Sequence, residues 1–281
     1  MPETRSNEID QATFWNEDGG RRWVEHIDQL ETMLSGMSAR LIAAVAARPG
    51  ENILDIGCGG GPTSAELAQV VGDAGEVLGV DISEVILGAA RRRFGHFANL
   101  RFETADATAH PFSAAHYDVI TSRFGVMFFP DPHAAFGNIR RAAKPGARLT
   151  FMCWRRLDEN PWMGAAAAAA FTVIPPPAKP EPGAPGPFSL ANPDRVRDIL
   201  GSAGFTAVEL EPVDQAITLG SVDQALEWLT RMGPAATPLA EADPGSREAA
   251  RAAMREVLAA HDTPAGVTLA GATWIVRGRA E

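Results

Sequence analysis

The sequence is poor in cysteine and in long apolar runs. Its 281 residues include only two cysteines, Cys58 and Cys153, too few for the disulfide frameworks of small secreted domains. No apolar run reaches the roughly 18 residues that suggest a membrane-spanning helix, and the first ten residues lack the apolar segment of a signal peptide. We therefore expect a protein of the reducing cytoplasm without membrane insertion.

Positive charge is also scarce. The chain has 25 Lys and Arg against 35 Asp and Glu, a formal net charge of -10. Nucleic-acid binders draw affinity from clustered basic residues, so DNA and RNA are excluded as expected partners. The one dense basic run, Arg91 to Arg93, is better placed at the end of a helix, where it complements the helix dipole. The expected partner is a small-molecule substrate, and the oligomeric state stays open, a homodimer included.

The alternation of segments predicts an α/β fold. Between residues 52 and 153, β-branched and aliphatic stretches alternate with amphipathic ones, which is typical of parallel strands joined by crossover helices. We predict strands at 52–56, 76–81, 100–103, 117–122, 148–153, 205–211 and 273–279. We predict helices at 63–71, 83–94, 132–143, 161–173, 192–204, 222–232 and 246–261.

Changes in composition divide the chain into four predicted parts. Residues 1–48 form an N-terminal helical lid with a flexible glycine pair, and residues 49–154 form a cofactor-binding core. Residues 155–190 form a helix and a proline-rich connector, because proline sustains neither a helix nor a central strand. Residues 191–281 complete the sheet, with a helical cap inserted at about 214–266.

A glycine-rich turn is the strongest functional signal. Residues 52–64 read NILDIGCGGGPTS, so an apolar strand ends at Asp55 and runs into Gly57, Gly59 and Gly61. Glycines allow a tight turn and a close approach of the backbone to a ligand. The next predicted strand ends at Asp81, where a carboxylate can accept the hydroxyls of a ribose. Two acids at two strand ends predict a nucleotide-like cofactor.

The same turn distinguishes between cofactors. Pro62 stands where a dinucleotide fingerprint has its third glycine. Asp55 would repel a pyrophosphate but attract an ammonium group, and S-adenosylmethionine carries an ammonium group. A nicotinamide-dependent oxidoreductase and a non-catalytic S-adenosyl-binding protein remain as alternatives.

Five ordered segments resemble class I S-adenosylmethionine-dependent methyltransferases, of the branch that includes the ubiquinone and menaquinone C-methyltransferases. They lie at residues 55–61, 80–83, 104–107, 118–129 and 140–149. The resemblance implies a Rossmann-like sheet of seven mostly parallel strands, with helices on both faces and the last strand antiparallel. It also implies methyl transfer to an oxygen, nitrogen or carbon atom of a small molecule. The cofactor residues that we predict are Asp55, Gly57, Gly59, Gly61, Asp81, Ile82, Asp106, Ala107 and Arg123.

The acceptor site is predicted from apolar side chains near the expected cofactor. These are Phe14, Trp15 and Trp23 in the lid, Phe124, Met127 and Phe128 after the fourth strand, and Trp154 after the fifth. Core packing is the alternative for each, since aromatic and methionine side chains commonly fill space.

Catalytic groups are weakly marked. His133 is the first candidate for a general base and His26 the second. A base is optional, since methyl transfer depends mainly on alignment and on exclusion of water. The histidines form no metal-ligand spacing, so no metal is expected.

Overall fold

Seven strands form the main sheet of the computed structural model, which describes residues 10–281. The spatial order is β3-β2-β1-β4-β5-β8-β6, and a two-residue strand, β7, pairs with the start of β8. The strands are β1 Asn52–Ile56, β2 Glu76–Asp81, β3 Leu100–Thr104, β4 Tyr117–Arg123, β5 Ala143–Trp154, β6 Phe205–Thr218, β7 Asp262–Thr263 and β8 Gly266–Ala280. The first nine residues of the predicted lid lie outside the described residues.

Strand direction confirms the predicted sheet. β1, β2, β3, β4 and β5 pair in parallel, whereas β8 runs antiparallel to both β5 and β6. The carboxyl ends of β1, β2 and β4 therefore meet at one edge, where a doubly wound sheet places ligands.

Eleven helices are found among the described residues. They are α1 Gln11–Asn16, α2 Asp18–Glu25, α3 Ile27–Val45, α4 Pro62–Val71, α5 Glu84–Phe94, α6 Pro132–Ala142, α7 Pro161–Ala170, α8 Pro193–Ser202, α9 Val222–Met232, α10 Ala236–Glu241 and α11 Pro244–Ala259. Side chains cap α5 and α6 at their N-termini: the Ser83 side chain accepts the N–H of Ile86, and Asp131 accepts that of Ala134. None of the helices in residues 10–281 combines the length and the apolar character needed to cross a membrane.

The last two strands are longer than predicted. β6 continues to Thr218 and β8 begins at Gly266, and the two pair as a ribbon down to Thr218 opposite Thr268. Pro212 lies in the extension of β6, and a proline within a run argues against a strand. In the structure Val213 and Ile217 are buried while Asp214 is exposed. Strands therefore occupy both ends of the segment predicted as a helical cap, and the helices α9, α10 and α11 lie between them.

Three smaller differences concern the helix α10, the end of α7 and the start of β5. α10 was not predicted, because six residues are too few to show a helical period. The predicted helix at 161–173 ends at Ala170. β5 begins at Ala143, ahead of Pro145 and Gly146, and its register with β4 shifts there. The division of the chain at residues 48, 154 and 190 stays a prediction.

The N-terminal helices lie close to the site edge. α3 packs on β4, β5 and β6 through an apolar face that includes Leu34, Met37 and Leu41. α1 and α2 pack on α5, the helix that follows β2. The chain before β1 therefore packs on the sheet through α3 and on α5 through α1 and α2.

Candidate cofactor-binding site

The glycine turn after β1 has the conformation that only glycine adopts easily. Gly57, Gly59 and Gly61 have φ values of 63°, 55° and 84°, in the left-handed region that costs other residues free energy. Space is also tight, since a Cβ on Gly61 would lie 2.6 Å from the Phe102 ring. The Cys58 N–H donates to the Val80 carbonyl at 3.0 Å, which holds the turn against the end of β2. We call residues 57–61 the glycine turn.

Asp81 is bound to the glycine turn. Its Oδ2 accepts the Gly59 N–H at 3.0 Å and its Oδ1 accepts the Ser83 N–H at 2.9 Å. Burial raises the pKa of Asp81, and the two backbone donors oppose that rise. A carboxylate has about four acceptor positions, so each oxygen retains capacity for a ligand hydroxyl.

Asp55 is enclosed beneath the same turn. The residue is fully buried; its Oδ2 accepts the Ser64 hydroxyl at 2.6 Å, and its Oδ1 has no partner among residues 10–281. Burial raises the pKa of Asp55 to about 7, although the Ser64 hydrogen bond and the charge of Arg123 act in the opposite direction. A positive group close to Oδ1 would favour the ionised form.

Arg123 ends β4 and is paired with a residue that the sequence analysis did not select. Glu31 of α3 accepts from Nη1 and from Nη2, each at 2.6 Å, and Ser38 accepts from Nη1 at 2.6 Å. Glu31 and Ser38 are seven residues apart and therefore share one face of α3. Two polar residues on an otherwise apolar helix face were the sequence feature from which this contact with Arg123 could have been predicted.

Of the other three predicted cofactor residues, Ile82 directly follows Asp81, and Asp106 and Ala107 lie in the turn after β3. The exposed Asp106 accepts from the Thr108 N–H at 2.8 Å and so orders the turn after β3. The carbonyl of the buried Ala107 accepts from the Asn138 side chain at 2.9 Å. The Ala105 N–H donates to the Asp81 carbonyl at 2.9 Å, so this turn adjoins the end of β2.

The segment before α3 contacts the turn after β2. The Asn16 amide donates to the Ile82 carbonyl at 3.0 Å, and its oxygen accepts the Glu84 N–H at 3.0 Å. The Ser83 hydroxyl donates to the Trp15 carbonyl. α1 and α2 are therefore tied to the residues that follow Asp81.

The same segment places aromatic rings over the site. Trp15 meets Phe14, Trp23 and Phe128 edge to face, with ring centroids 5.1, 5.8 and 5.2 Å apart. The Trp23 indole lies beside Gly59, and its N–H is buried with no partner in the described part of the chain. This aromatic group bridges the turn after β2 and the exit of β4.

A second aromatic group contains the remaining predicted acceptor residues. Phe124 has φ of 65°, a costly value for a bulky residue, and its ring stacks on Trp154 at 4.3 Å. The backbone N–H of Trp154 donates to the Met127 sulfur at 3.3 Å. Trp154 also contacts Trp162 of α7, and Trp162 contacts Trp228 of α9, with tilted rings and centroids 5.0 and 5.7 Å apart. Neither Trp162 nor Trp228 was among the predicted residues. Whether these rings line an acceptor pocket stays a prediction.

The two candidate bases are placed differently. His133 lies on α6, and its ring nitrogens face Ser202 at 3.0 Å and Asp198 at 4.0 Å, both on α8. Within residues 10–281, the hydrogen-bond and charge partners of His133 lie on α8 and not in the glycine turn, and its role as a base stays a prediction. His26 joins α2 to α3, and its Nε2 is buried without a partner among residues 10–281. No group of three metal-binding side chains occurs in that range.

Sequence comparison identifies the type of domain. Residues 53–146, which run from β1 into β5, match a family model described as a methyltransferase domain. The chain is 31% identical over 137 residues to a ubiquinone/menaquinone biosynthesis C-methyltransferase of Shewanella halifaxensis, covering 48% of this chain and 55% of that protein. It is 34% identical over 133 residues to a 2-phytyl-1,4-naphtoquinone methyltransferase of Synechococcus elongatus, covering 46% and 57%. The chain thus spans about half the length of the curated relatives it matches.

Solved structures show that the fold extends further than the sequence similarity. A putative methyltransferase from Bacillus halodurans has a TM-score of 0.57 at 17% identity, covering 86% of this chain and 97% of that one. A phosphoethanolamine N-methyltransferase 2 from Haemonchus contortus, in complex with S-adenosyl-L-methionine, has a TM-score of 0.61 at 16% identity, covering 98% and 61%. At these identities the likeness shows the fold alone. Residues 53–146 therefore match a methyltransferase domain and resemble the ubiquinone and menaquinone C-methyltransferases in sequence, within a Rossmann-like fold.

Proposed function

We propose that this protein transfers a methyl group from S-adenosylmethionine to a small-molecule acceptor in the cytoplasm. The observation that supports it best is the joining of the glycine turn to Asp81 through the Gly59 N–H. This bond fixes a ribose-binding acid beside a backbone that a ligand can approach closely. The matched methyltransferase domain covers these residues.

The residues at this edge fit S-adenosylmethionine. The Asp55 Oδ1, buried and without a partner in the described chain, suits the cofactor's ammonium group. The open acceptor positions of Asp81 suit the two ribose hydroxyls. The Trp23 indole beside Gly59 offers a flat apolar surface and an N–H that has no partner within residues 10–281. A pyrophosphate would meet two carboxylates here, which argues against a dinucleotide.

To promote methyl transfer, the protein mainly has to align the two reactants and exclude water. Bound S-adenosylmethionine would supply a methyl carbon that the acceptor atom attacks in line with the C–S bond, and this bond breaks as neutral S-adenosylhomocysteine leaves. Asp81 and the glycine turn hold the donor, while Trp15, Phe128 and the N-terminal helices cover the site. Fixing two reactants in line and removing water lowers the barrier without a dedicated base. We assign no proton-accepting residue.

The acceptor is proposed to be apolar or aromatic, because the side chains near the β4 exit are Phe124, Met127, Phe128 and Trp154. Quinols are the first compounds to test, since the curated relatives are named for quinone methylation. The methylated atom is not assigned.

Two measurements test the function. Calorimetric titration should show binding of S-adenosylhomocysteine and none of NADH. Methyl-labelled S-adenosylmethionine should then label a quinol, catechol or amine in a panel, and Asp81→Ala should reduce the labelling. Binding without transfer to any compound in the panel or in a metabolite extract would favour the non-catalytic alternative. Failure to bind either S-adenosyl compound would refute the proposal.

A further inference from the structure

The ion pair between Arg123 and Glu31 is nearly closed to solvent. The Arg123 side chain is 8% exposed and that of Glu31 is 15% exposed. Taking two charges out of water costs free energy that the pair's attraction often fails to recover, so such pairs are weak evidence for stability alone. Its position at the carboxyl end of β4 points to a second role.

The hydrogen bonds of Arg123 leave one edge of its guanidinium group free. A guanidinium has five N–H donors in a planar fork. Glu31 takes one from each Nη atom and Ser38 takes the second from Nη1. The Nε–H and the other Nη2–H find no acceptor within residues 10–281. These two donors lie side by side, with the spacing of the two oxygens of a carboxylate.

The free edge belongs to a side chain next to the glycine turn. Gly125, two residues after Arg123, is in backbone contact with Gly57. The positive charge of Arg123 lowers the pKa of Asp55, which places the two groups within electrostatic range on the neighbouring strands β4 and β1. A fixed cation beside a buried carboxylate is complementary to a zwitterion, the charge pattern of an α-amino acid.

We propose that the free edge of Arg123 binds the carboxylate of the ligand's amino-acid end, and that Glu31 and Ser38 are positioning residues that hold the guanidinium for it. The inference rests on the proposed function, in which that end is the methionine part of the cofactor. An unrestrained arginine would lose side-chain entropy on binding, whereas the contacts with α3 order it beforehand.

Two ligands that differ only in the amino-acid end provide the test. S-adenosylhomocysteine has the amino and carboxyl groups, and 5′-methylthioadenosine lacks both. For Arg123→Met we expect S-adenosylhomocysteine to bind at least about tenfold more weakly, since hydrogen bonds between charged groups are the strong ones. Binding of 5′-methylthioadenosine should be unchanged. Arg123→Lys keeps the charge but lacks the planar pair of donors, so it should cause an intermediate loss of S-adenosylhomocysteine affinity. It replaces Arg123→Met in the test if that variant does not fold.

Glu31→Gln tests the positioning role, and the chain offers a matched control. Arg148 and Glu51 form a second bidentate pair at 2.9 and 2.8 Å at the opposite edge of the sheet, with Glu51 as buried as Glu31 and Arg148 somewhat more exposed than Arg123. We expect Glu31→Gln to weaken S-adenosylhomocysteine binding by a few fold and to spare 5′-methylthioadenosine. Glu51→Gln should lower the melting temperature without changing the ratio of the two affinities.

The outcomes separate the two proposals. An equal loss of both ligands in Arg123→Met, or an unchanged ratio, would show that the ion pair is structural and would overturn the inference while leaving the proposed function intact. Tighter binding of S-adenosylhomocysteine by Glu31→Gln would show that Glu31 competes with the ligand and would overturn the positioning role. If the unaltered protein bound neither ligand, both the proposed function and this inference would be refuted.

Discussion

The Cα of Gly125 lies 2.6 Å from the position that a Cβ on Gly57 would take, and a Cβ on Gly125 would lie 2.7 Å from the Cα of Gly57. The glycine turn after β1 and the exit of β4 therefore touch through their backbones. This contact joins the strand end that carries Asp55 to the one that carries Arg123. It also places the aromatic residues after β4 next to the predicted cofactor site.

Gly125→Ala should disturb this contact. Gly125 has an ordinary φ of -79°, so the cost is steric rather than conformational. Overpacking of this kind typically costs about 1–3 kcal/mol, and the displaced glycine turn should also weaken S-adenosylhomocysteine binding. Thermal unfolding and calorimetry measure the two effects.

Gly137→Ala is the control. Gly137 lies within α6, and a Cβ there meets nothing within 4 Å. Alanine at this position should stabilise the helix by up to about 1 kcal/mol. Unchanged stability and affinity in Gly125→Ala would contradict the close contact.

Asp55→Asn should change how stability depends on pH. The pKa of Asp55 is about 7 in the fold against 3.8 ordinarily, so between these values the folded state binds more protons than the unfolded state. The contribution of Asp55 to stability therefore falls as pH rises through this window, by up to about 1.4 kcal/mol per pH unit. Urea unfolding at about pH 5 and about pH 8 should show Asp55→Asn gaining on the unaltered protein at the higher pH. A difference independent of pH would refute the raised pKa.

At the higher pH, where Asp55→Asn should gain stability relative to the unaltered protein, we expect it to bind the cofactor more weakly. At about pH 8 the unaltered Asp55 is mostly ionised and can attract the ammonium group of S-adenosylhomocysteine, whereas the amide cannot. We expect weaker binding by about tenfold, the effect of roughly one charged hydrogen bond. Equal affinity of the two proteins at that pH, measured by calorimetry, would remove Asp55 from the ammonium site.

Asp81→Ala should weaken S-adenosylhomocysteine binding by about tenfold or more, because the ribose hydroxyls lose a charged acceptor. It also removes the acceptor of the Gly59 and Ser83 N–H groups, so Asp81→Asn, which keeps the shape, is the finer probe. Asp118→Ala is the matched control. Asp118 accepts the Asn52 N–H at 3.0 Å, and thus also joins neighbouring strands, but at the opposite edge of the sheet. If the Asp118 variant lost as much affinity as the Asp81 variant, the effect would be structural.

Asn16→Ala should loosen the N-terminal helices. It removes the bonds to the Ile82 carbonyl and the Glu84 N–H, and we expect faster hydrogen exchange in residues 10–26 together with weaker cofactor binding. Asn99→Ala is a suitable control, because Asn99 bridges the carbonyls of Ala68 and Gly72 at 2.8 and 2.9 Å, away from the site. It should lower global stability and leave exchange in residues 10–26 unchanged. Equal exchange in the Asn16 variant and the unaltered protein would show that Asn16 does not hold these helices.

Local patterns predicted the central sheet well. β1 and β2 begin and end where the apolar runs do, and α9 begins at the Ser221 capping box, with both its ends as predicted. β6 and β8 were predicted too short because Pro212 in β6 and the glycine and alanine residues at the start of β8 disfavour a strand. The glycine turn, Asp55 and Asp81 could be found because each lies at a strand end, a position that a run of residues defines.

By itself the sequence determined the α/β architecture, the glycine turn and the acids that follow β1 and β2, because these depend on neighbours along the chain. Only the tertiary structure decided which partners those groups have. Glu31 and Arg123 are 92 residues apart and Asn16 and Ile82 are 66 apart, and no periodic pattern links residues at such separations. The burial that raises the pKa of Asp55 likewise arises from the packing of many elements at once, and so it is a property of the fold rather than of any one segment.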